Sequence, residues 1–302
     1  MNLSVATRQA LDTAGLDAAY VLDLVTRAVA EDLAGGVDVT SVATVPADLR
    51  GVAAFVPRQA GIVAGIGVAM AVLDVVVPAV QHRVVGADGV AAVPGVAVLA
   101  AEGPVRDLLT AERTALNLLC HLSGIATLTR SWVDAVQGTG ARVRDTRKTT
   151  PGLRALEKYA VRCGGGTNHR MSLSDAALVK DNHVVAAGGV RAAFDAVRRE
   201  FPGLAVEVEC DTVAQVAAVL AAGANLVLLD NMAPPLLAEA VALCRARGVL
   251  AEASGGLTLA TAREVAETGV DFLSVGALTH SAPVLDLGVD LLVSPRTESG
   301  CS

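Results

Sequence analysis

Nine of the chain's 24 basic residues fall between positions 142 and 180: Arg142, Arg144, Arg147, Lys148, Arg154, Lys158, Arg162, Arg170 and Lys180. Only Asp145, Glu157 and Asp175 oppose them there, and all three lysines of the chain lie in this window, although the formal net charge is -7. A planar guanidinium fork matches a carboxylate, and a lysine ammonium is a compact point charge suited to phosphate. Arg147, Lys148, Arg170 and Lys180 stand at strand ends or in the glycine-rich loop "CGGGTNHR", so together they point to a ligand carrying both kinds of group. Arg154, Glu157 and Lys158 are spaced as a solvated helix face would be. A structural ion-pair network is the competing account of the first group.

Opposite these cations, Glu209 stands next to last in "VEVEC" and Asp230 ends "LVLLD". Two carboxylates at successive strand tips suit magnesium, a hard cation that takes oxygen ligands, or the hydroxyls of a sugar. Ser254 and Ser274 close the next two runs, in "EASGGL" and "SVGALTH". Glycine loops there, beside helix N-termini, would expose backbone N–H groups to a phosphate. Tight turns are the plainer use of such glycines.

The elements that position these residues follow a rhythm. From residue 141 onward, short runs rich in Val, Ala and Leu ("ARVRDT", "AALVKD", "LAVEVEC", "NLVLLD", "VLAEAS", "FLSVG") alternate with amphipathic stretches of helical length. Strands separated by helices imply right-handed parallel crossovers, and the units read as steps around an α/β barrel whose polar strand ends meet on the C-terminal rim. Residues 1–115 lack the rhythm and read as a separate α+β domain. A long helical stretch from Val105 to Val136 joins the halves, residues 116–282 form the barrel, and the tail 283–302 is expected to pack on the first domain.

Composition narrows the function classes. A hydrophobic fraction of 53% with only seven aromatic residues describes a globular protein packed with small aliphatic side chains. The acidic balance and the scarcity of stacking platforms argue against nucleic-acid binding. The stretch 61–80 comes closest to a membrane span, but glycines, Asp74 and Pro78 interrupt it, so a strand and a buried helix are expected and no membrane partner. Five scattered cysteines (Cys120, Cys163, Cys210, Cys244, Cys301) form no CxxC pair and read as reduced thiols of a cytoplasmic protein.

"ERTALNLLCHLSGIAT", "DTRKTTPGLRALEKYAVRCGGGTNHR", "LVKDNH", "VEVEC", "LLDNM", "EASGG" and "SVGALTH", in this order, resemble the quinolinate phosphoribosyltransferase family, the decarboxylating nicotinate-nucleotide pyrophosphorylases of NAD synthesis. The likeness runs from "EDLAGGVDVTS" to about residue 290. It implies a type II phosphoribosyltransferase fold: an open seven-stranded α/β barrel with an N-terminal α+β sandwich domain. It further implies a homodimer and magnesium-dependent transfer of phosphoribosyl from phosphoribosyl pyrophosphate to quinolinate. By the same resemblance Arg147, His169, Arg170 and Lys180 take the quinolinate carboxylates, with Arg113 reaching in from the partner subunit. Lys148, Lys180, Glu209 and Asp230 are the implied catalytic groups facing the donor, Glu209 and Asp230 holding its metal. Ser254, Gly255, Gly256 and Gly276 are assigned to the ribose phosphate, and Ser274 and His280 complete the binding set. Cys120 departs from the larger polar residue expected in "NLLCHLSG". Two other readings remain: a paralogous phosphoribosyltransferase with a different acceptor, and a non-catalytic sensor of a phosphate ligand.

Overall fold

The computed structural model describes residues 2–293, so Cys301 and the end of the tail lie outside the described residues. The described residues form two compact units, one of residues 2–127, 155–164 and 282–293, the other of residues 128–154 and 165–281.

In the first unit, helices Val5–Thr13 and Ala18–Leu33 start on Ser4 and Asp17, whose side-chain oxygens accept backbone N–H bonds from the first turn. Strands β1 (Arg50–Pro57), β2 (Gly61–Ile62), β3 (Gln81–Val84), β4 (Ala91–Ala92) and β5 (Leu99–Pro104) follow. An antiparallel sheet runs β3, β5, β1 and then the C-terminal strand Leu287–Val293, which pairs with β1 along its length. Helix Ile66–Val76, the most apolar part of the stretch 61–80, buries every residue from Ile66 to Leu73. Among the described residues no helix is long and apolar enough to cross a membrane.

Two boundaries differ from those read in the sequence. The helix Val105–Ala135 contributes to the first unit as far as Thr127, twelve residues past the expected limit at 115. Its Ser123 and Thr127 hydroxyls hold the backbone of Ala64 and Ile62, which ties it to this unit. The helix Arg154–Cys163 also belongs there, because Glu157 Oε1 meets His121 Nε2 at 2.9 Å and Tyr159 Oη donates to Asp88 Oδ2 at 2.7 Å. Glu157 and Lys158 are fully buried, so the solvated face expected for them does not exist. Tertiary packing overrides the helical charge spacing.

The second unit holds the parallel strands β6 (Arg142–Arg144), β7 (Ala177–Val179), β8 (Val206–Cys210), β9 (Leu226–Asp230), β10 (Leu250–Ser254) and β11 (Phe272–Ser274). Their order across the sheet is β6, β11, β10, β9, β8, β7, each neighbour parallel. Buried Val143, Val179, Val208, Val227, Leu229, Ala253 and Leu273 line it. The expected seventh strand is reduced to one parallel bridge, Thr167 to Arg144, with Thr167 N–H donating to the Val143 carbonyl at 2.8 Å. Three glycines precede it, and glycine weakens a strand. No pairing joins β7 to this segment, so the sheet is open between them.

Candidate active site

Register brings the strand ends together. Asp230 on β9 pairs with Ser254 on β10, and Arg144 on β6 with Ser274 on β11, so the tips finish level. Beyond them lies a cleft of about 630 Å³. Its lining includes Arg147, Lys148, His169, Arg170, Lys180, Glu209, Asp230, Ser254, Gly255, Gly256 and Ser274. These are eleven of the fourteen residues singled out in the sequence. Gly276 and His280 lie beside Lys148: a Cβ on Gly276 would meet Lys148 Cδ at 3.0 Å and His280 Nε2 at 3.2 Å. Arg113 is exposed on the long helix of the first unit.

The cationic side of the cleft is electrostatically strained. Arg170 is half-buried, and its pKa is pushed below the usual guanidinium value, first by burial and then by the positive charge of Arg147. The Nε atoms of Arg147 and Arg170 are both buried without a hydrogen-bond partner. Two guanidinium groups held close enough to repel, with donors unmet, make a site that an anion of more than one charge would relieve.

Across the cleft, Lys180 Nζ meets Glu209 Oε2 at 2.6 Å. Asp230 Oδ2 accepts from the Asn231 side-chain amide at 2.6 Å. Asn231 has φ +52°, a left-handed conformation that asparagine tolerates better than most residues, and its N–H donates to the Ser254 carbonyl. Gly255, at φ +82°, sits against it, and a Cβ there would run into the Asn231 side chain. The glycine is therefore required by both its backbone angle and the approach of Asn231. The helices after the two glycine loops, Ala262–Glu267 and Ala277–His280, are short. The helix Ala262–Glu267 begins six residues after Gly256, so the phosphate reading rests on loop N–H groups more than on helix dipoles.

Beneath this rim is a buried charge cluster that the strand-end reading missed. Arg144 pairs with Glu252, which also accepts from the Ser274 hydroxyl. His169 Nε2 lies 2.8 Å from Glu207 Oε2 and 3.5 Å from Glu252 Oε1. Burial and then the charge of Glu207 raise the Glu252 pKa, with Arg144 and His169 opposing them. The signal was present: Glu207 stands two residues before Glu209 in "VEVEC", and Glu252 two before Ser254, so each shares an inward face with a rim residue.

His169 lines the cleft and also makes contacts within the protein. Arg170 N–H donates to its Nδ1 at 2.8 Å, while Nε2 faces Glu207, so both ring nitrogens are engaged within the protein.

Glu209 and Asp230 supply two carboxylates to the same cleft. Magnesium keeps several waters and is commonly held by one or two carboxylates plus substrate phosphates, and this donor set fits that mode.

The family model for the C-terminal domain of quinolinate phosphoribosyl transferase matches residues 125–290, and that for its N-terminal domain matches residues 38–123. The chain is 53% identical to the nicotinate-nucleotide pyrophosphorylase [carboxylating] of Mycobacterium leprae, over 89% of this chain and 96% of that protein. It is 39% identical to quinolinate phosphoribosyltransferase [decarboxylating] 1b of Nicotiana tabacum, over 90% of this chain and 83% of that protein. Among solved structures, the nicotinate-nucleotide pyrophosphorylase of Francisella tularensis superposes with a TM-score of 0.87 at 35% identity, covering 92% of this chain and 98% of that one.

Proposed function

The chain belongs to the quinolinate phosphoribosyltransferase family, and from that premise we propose how its cleft carries out the family's reaction. The enzyme transfers phosphoribosyl from phosphoribosyl pyrophosphate to quinolinate with decarboxylation, giving nicotinate mononucleotide, pyrophosphate and carbon dioxide. The observation that supports the placement of the acceptor is the pair Arg147 and Arg170, which line one cleft and each have a buried Nε without a hydrogen-bond partner, as a ligand with two negative groups would require.

In this reading Arg147 and Arg170 each take a carboxylate of quinolinate, and Lys180 neutralises the acceptor from the Glu209 side. Lys148, against Gly276, and the loop Ser254–Gly256 face the phosphates of the donor. As pyrophosphate leaves C1 of the ribose, positive charge grows there, and the carboxylates of Glu209 and Asp230 stabilise it. Magnesium held by Glu209 and Asp230 would offset the charge accumulating on the leaving pyrophosphate. Bonding at the ring nitrogen creates a pyridinium, which draws the electron pair of the bond between C2 and its carboxylate. Carbon dioxide departs and the ring carbon takes up a proton. The protein chiefly supplies orientation and a cleft shielded from water. The location proposed with this reading is cytoplasmic, from the five scattered cysteines of the sequence, which form no CxxC pair.

Nicotinate lacks the 2-carboxylate and would leave one guanidinium unpaired. Its affinity should be lower than that of quinolinate by roughly 30-fold or more, from a loss of about 2 kcal/mol. Calorimetric titration of the wild-type enzyme with both acids checks this; equal affinities would remove the dicarboxylate assignment.

We also propose a homodimer in which Arg113 completes the partner's site. Arg113 is exposed on a helix outside the parallel-sheet unit, and an isologous dimer makes each contact twice. Arg113→Ala and Lys148→Ala should each be inactive alone, yet regain part of the activity when mixed under conditions that exchange subunits. A mixed dimer carries both lesions in one site and neither in the other. Confirmed exchange with no recovery would place Arg113 in its own subunit's service or in none.

A further inference from the structure

We propose that Asn231 is a positioning residue for phosphoribosyl transfer: its side chain fixes the carboxylate of Asp230, and its backbone ties that carboxylate to the glycine loop Ser254–Gly256. The inference rests on the reading of Asp230 as a carboxylate that meets the charge growing on the ribose. Asn231 lines the same cleft, yet that reading gives its amide no part. Asp230 ends β9, and among the described residues the Asn231 amide is the only group hydrogen-bonded to its side chain, at 2.6 Å to Oδ2. A carboxylate oxygen only accepts, so the amide must turn Nδ2 toward it. With Oδ2 engaged, Oδ1 is the oxygen left for a ligand.

The backbone of Asn231 makes the second tie. At φ +52° its N–H donates to the Ser254 carbonyl at 2.9 Å, and Ser254 is the residue that pairs in register with Asp230. The amide lies against Gly255, where a Cβ would run into its Oδ1 and Cγ, so the loop and the amide fit only with glycine at 255. One residue thus joins the carboxylate at the tip of β9 to the loop after β10. Both belong to the donor side of the cleft. Glu209 is held separately, by Lys180, so loss of the Asn231 amide acts on Asp230 and leaves the other carboxylate in place.

Asn231→Gly separates the amide from the turn, because glycine adopts the left-handed backbone freely and keeps the N–H. Removing a group that orients a ligand-bearing carboxylate commonly lowers activity or metal affinity by 10- to 100-fold, so kcat should fall by roughly tenfold or more. Calorimetric titration with phosphoribosyl pyrophosphate, in the absence of quinolinate, should need more magnesium to reach full donor affinity. Quinolinate affinity should stay at the wild-type value. Asn231→Asp tolerates the same backbone and sets a second carboxylate against Asp230 in place of the donor, so its turnover should fall at least as far. A double-mutant cycle then separates positioning from plain structure. A residue that works through Asp230 loses its effect once Asp230 is gone, so adding Asn231→Gly to Asp230→Ala should change kcat by less than about twofold.

Wild-type turnover and magnesium dependence in folded Asn231→Gly would overturn the proposal. An equal loss of turnover in the wild-type and Asp230→Ala backgrounds would do the same, because Asn231 would then act independently of the carboxylate. If Asn231→Gly does not fold, Asn231→Asp takes its place in the cycle. Wild-type turnover in Asp230→Ala alone would instead bring down the reading of Asp230 on which the proposal stands.

Discussion

Arg170→Ala should weaken quinolinate binding by roughly 30-fold or more, while the affinity for phosphoribosyl pyrophosphate stays nearly constant. The guanidinium is half-buried, has a buried Nε with no partner, and sits under the field of Arg147. A carboxylate arriving there gains two charged partners at once, and removing one of them leaves the ligand's charge desolvated and unmatched, a loss of about 2 to 5 kcal/mol. Arg147→Ala should behave alike, with a modest offset because its loss relieves the repulsion on Arg170. Calorimetry on each variant reads the effect directly, and quinolinate affinity unchanged in Arg170→Ala would show that the carboxylates bind elsewhere.

Glu209→Ala and Asp230→Ala should fail differently. In the proposed function their carboxylates act on charge that develops during transfer, so turnover should fall by about 10²- to 10³-fold while quinolinate affinity changes little. Both variants should also need more magnesium to reach their reduced maximum. Glu209 carries an additional consequence, since its loss frees Lys180 Nζ from a 2.6 Å contact. The Asp230 variant lacks that complication, because Asp230 is held by Asn231. A kcat close to wild type in Asp230→Ala, measured at saturating substrates and metal, would remove that residue from the chemistry.

The rim of the site was legible because the chemistry sits where strand periodicity ends. A polar residue closing an apolar run in a repeating strand–helix pattern can go to few places, and Glu209, Asp230, Ser254 and Ser274 went to the expected one. The layer below was harder to read. Glu207 and Glu252 follow the same alternation, but their partners His169 and Arg144 come from distant segments, and only the order of strands across the sheet joins them. Lys158 and Glu157 show the limit of local pattern, since their spacing suits a solvated helix and burial of that helix overrules it. The segment "CGGGTNHR" reads in the sequence as a loop carrying His169 and Arg170, not as a strand. Its glycines leave a single bridge, Thr167 to Arg144, to mark the pairing.

The most direct test of the account is release of labelled carbon dioxide from quinolinate carrying the label in its 2-carboxylate. With phosphoribosyl pyrophosphate and magnesium present, the enzyme should release label in step with nicotinate mononucleotide, one for one, and should make no mononucleotide from nicotinic acid. Comparable turnover of nicotinic acid, or mononucleotide formed without loss of label, would contradict it.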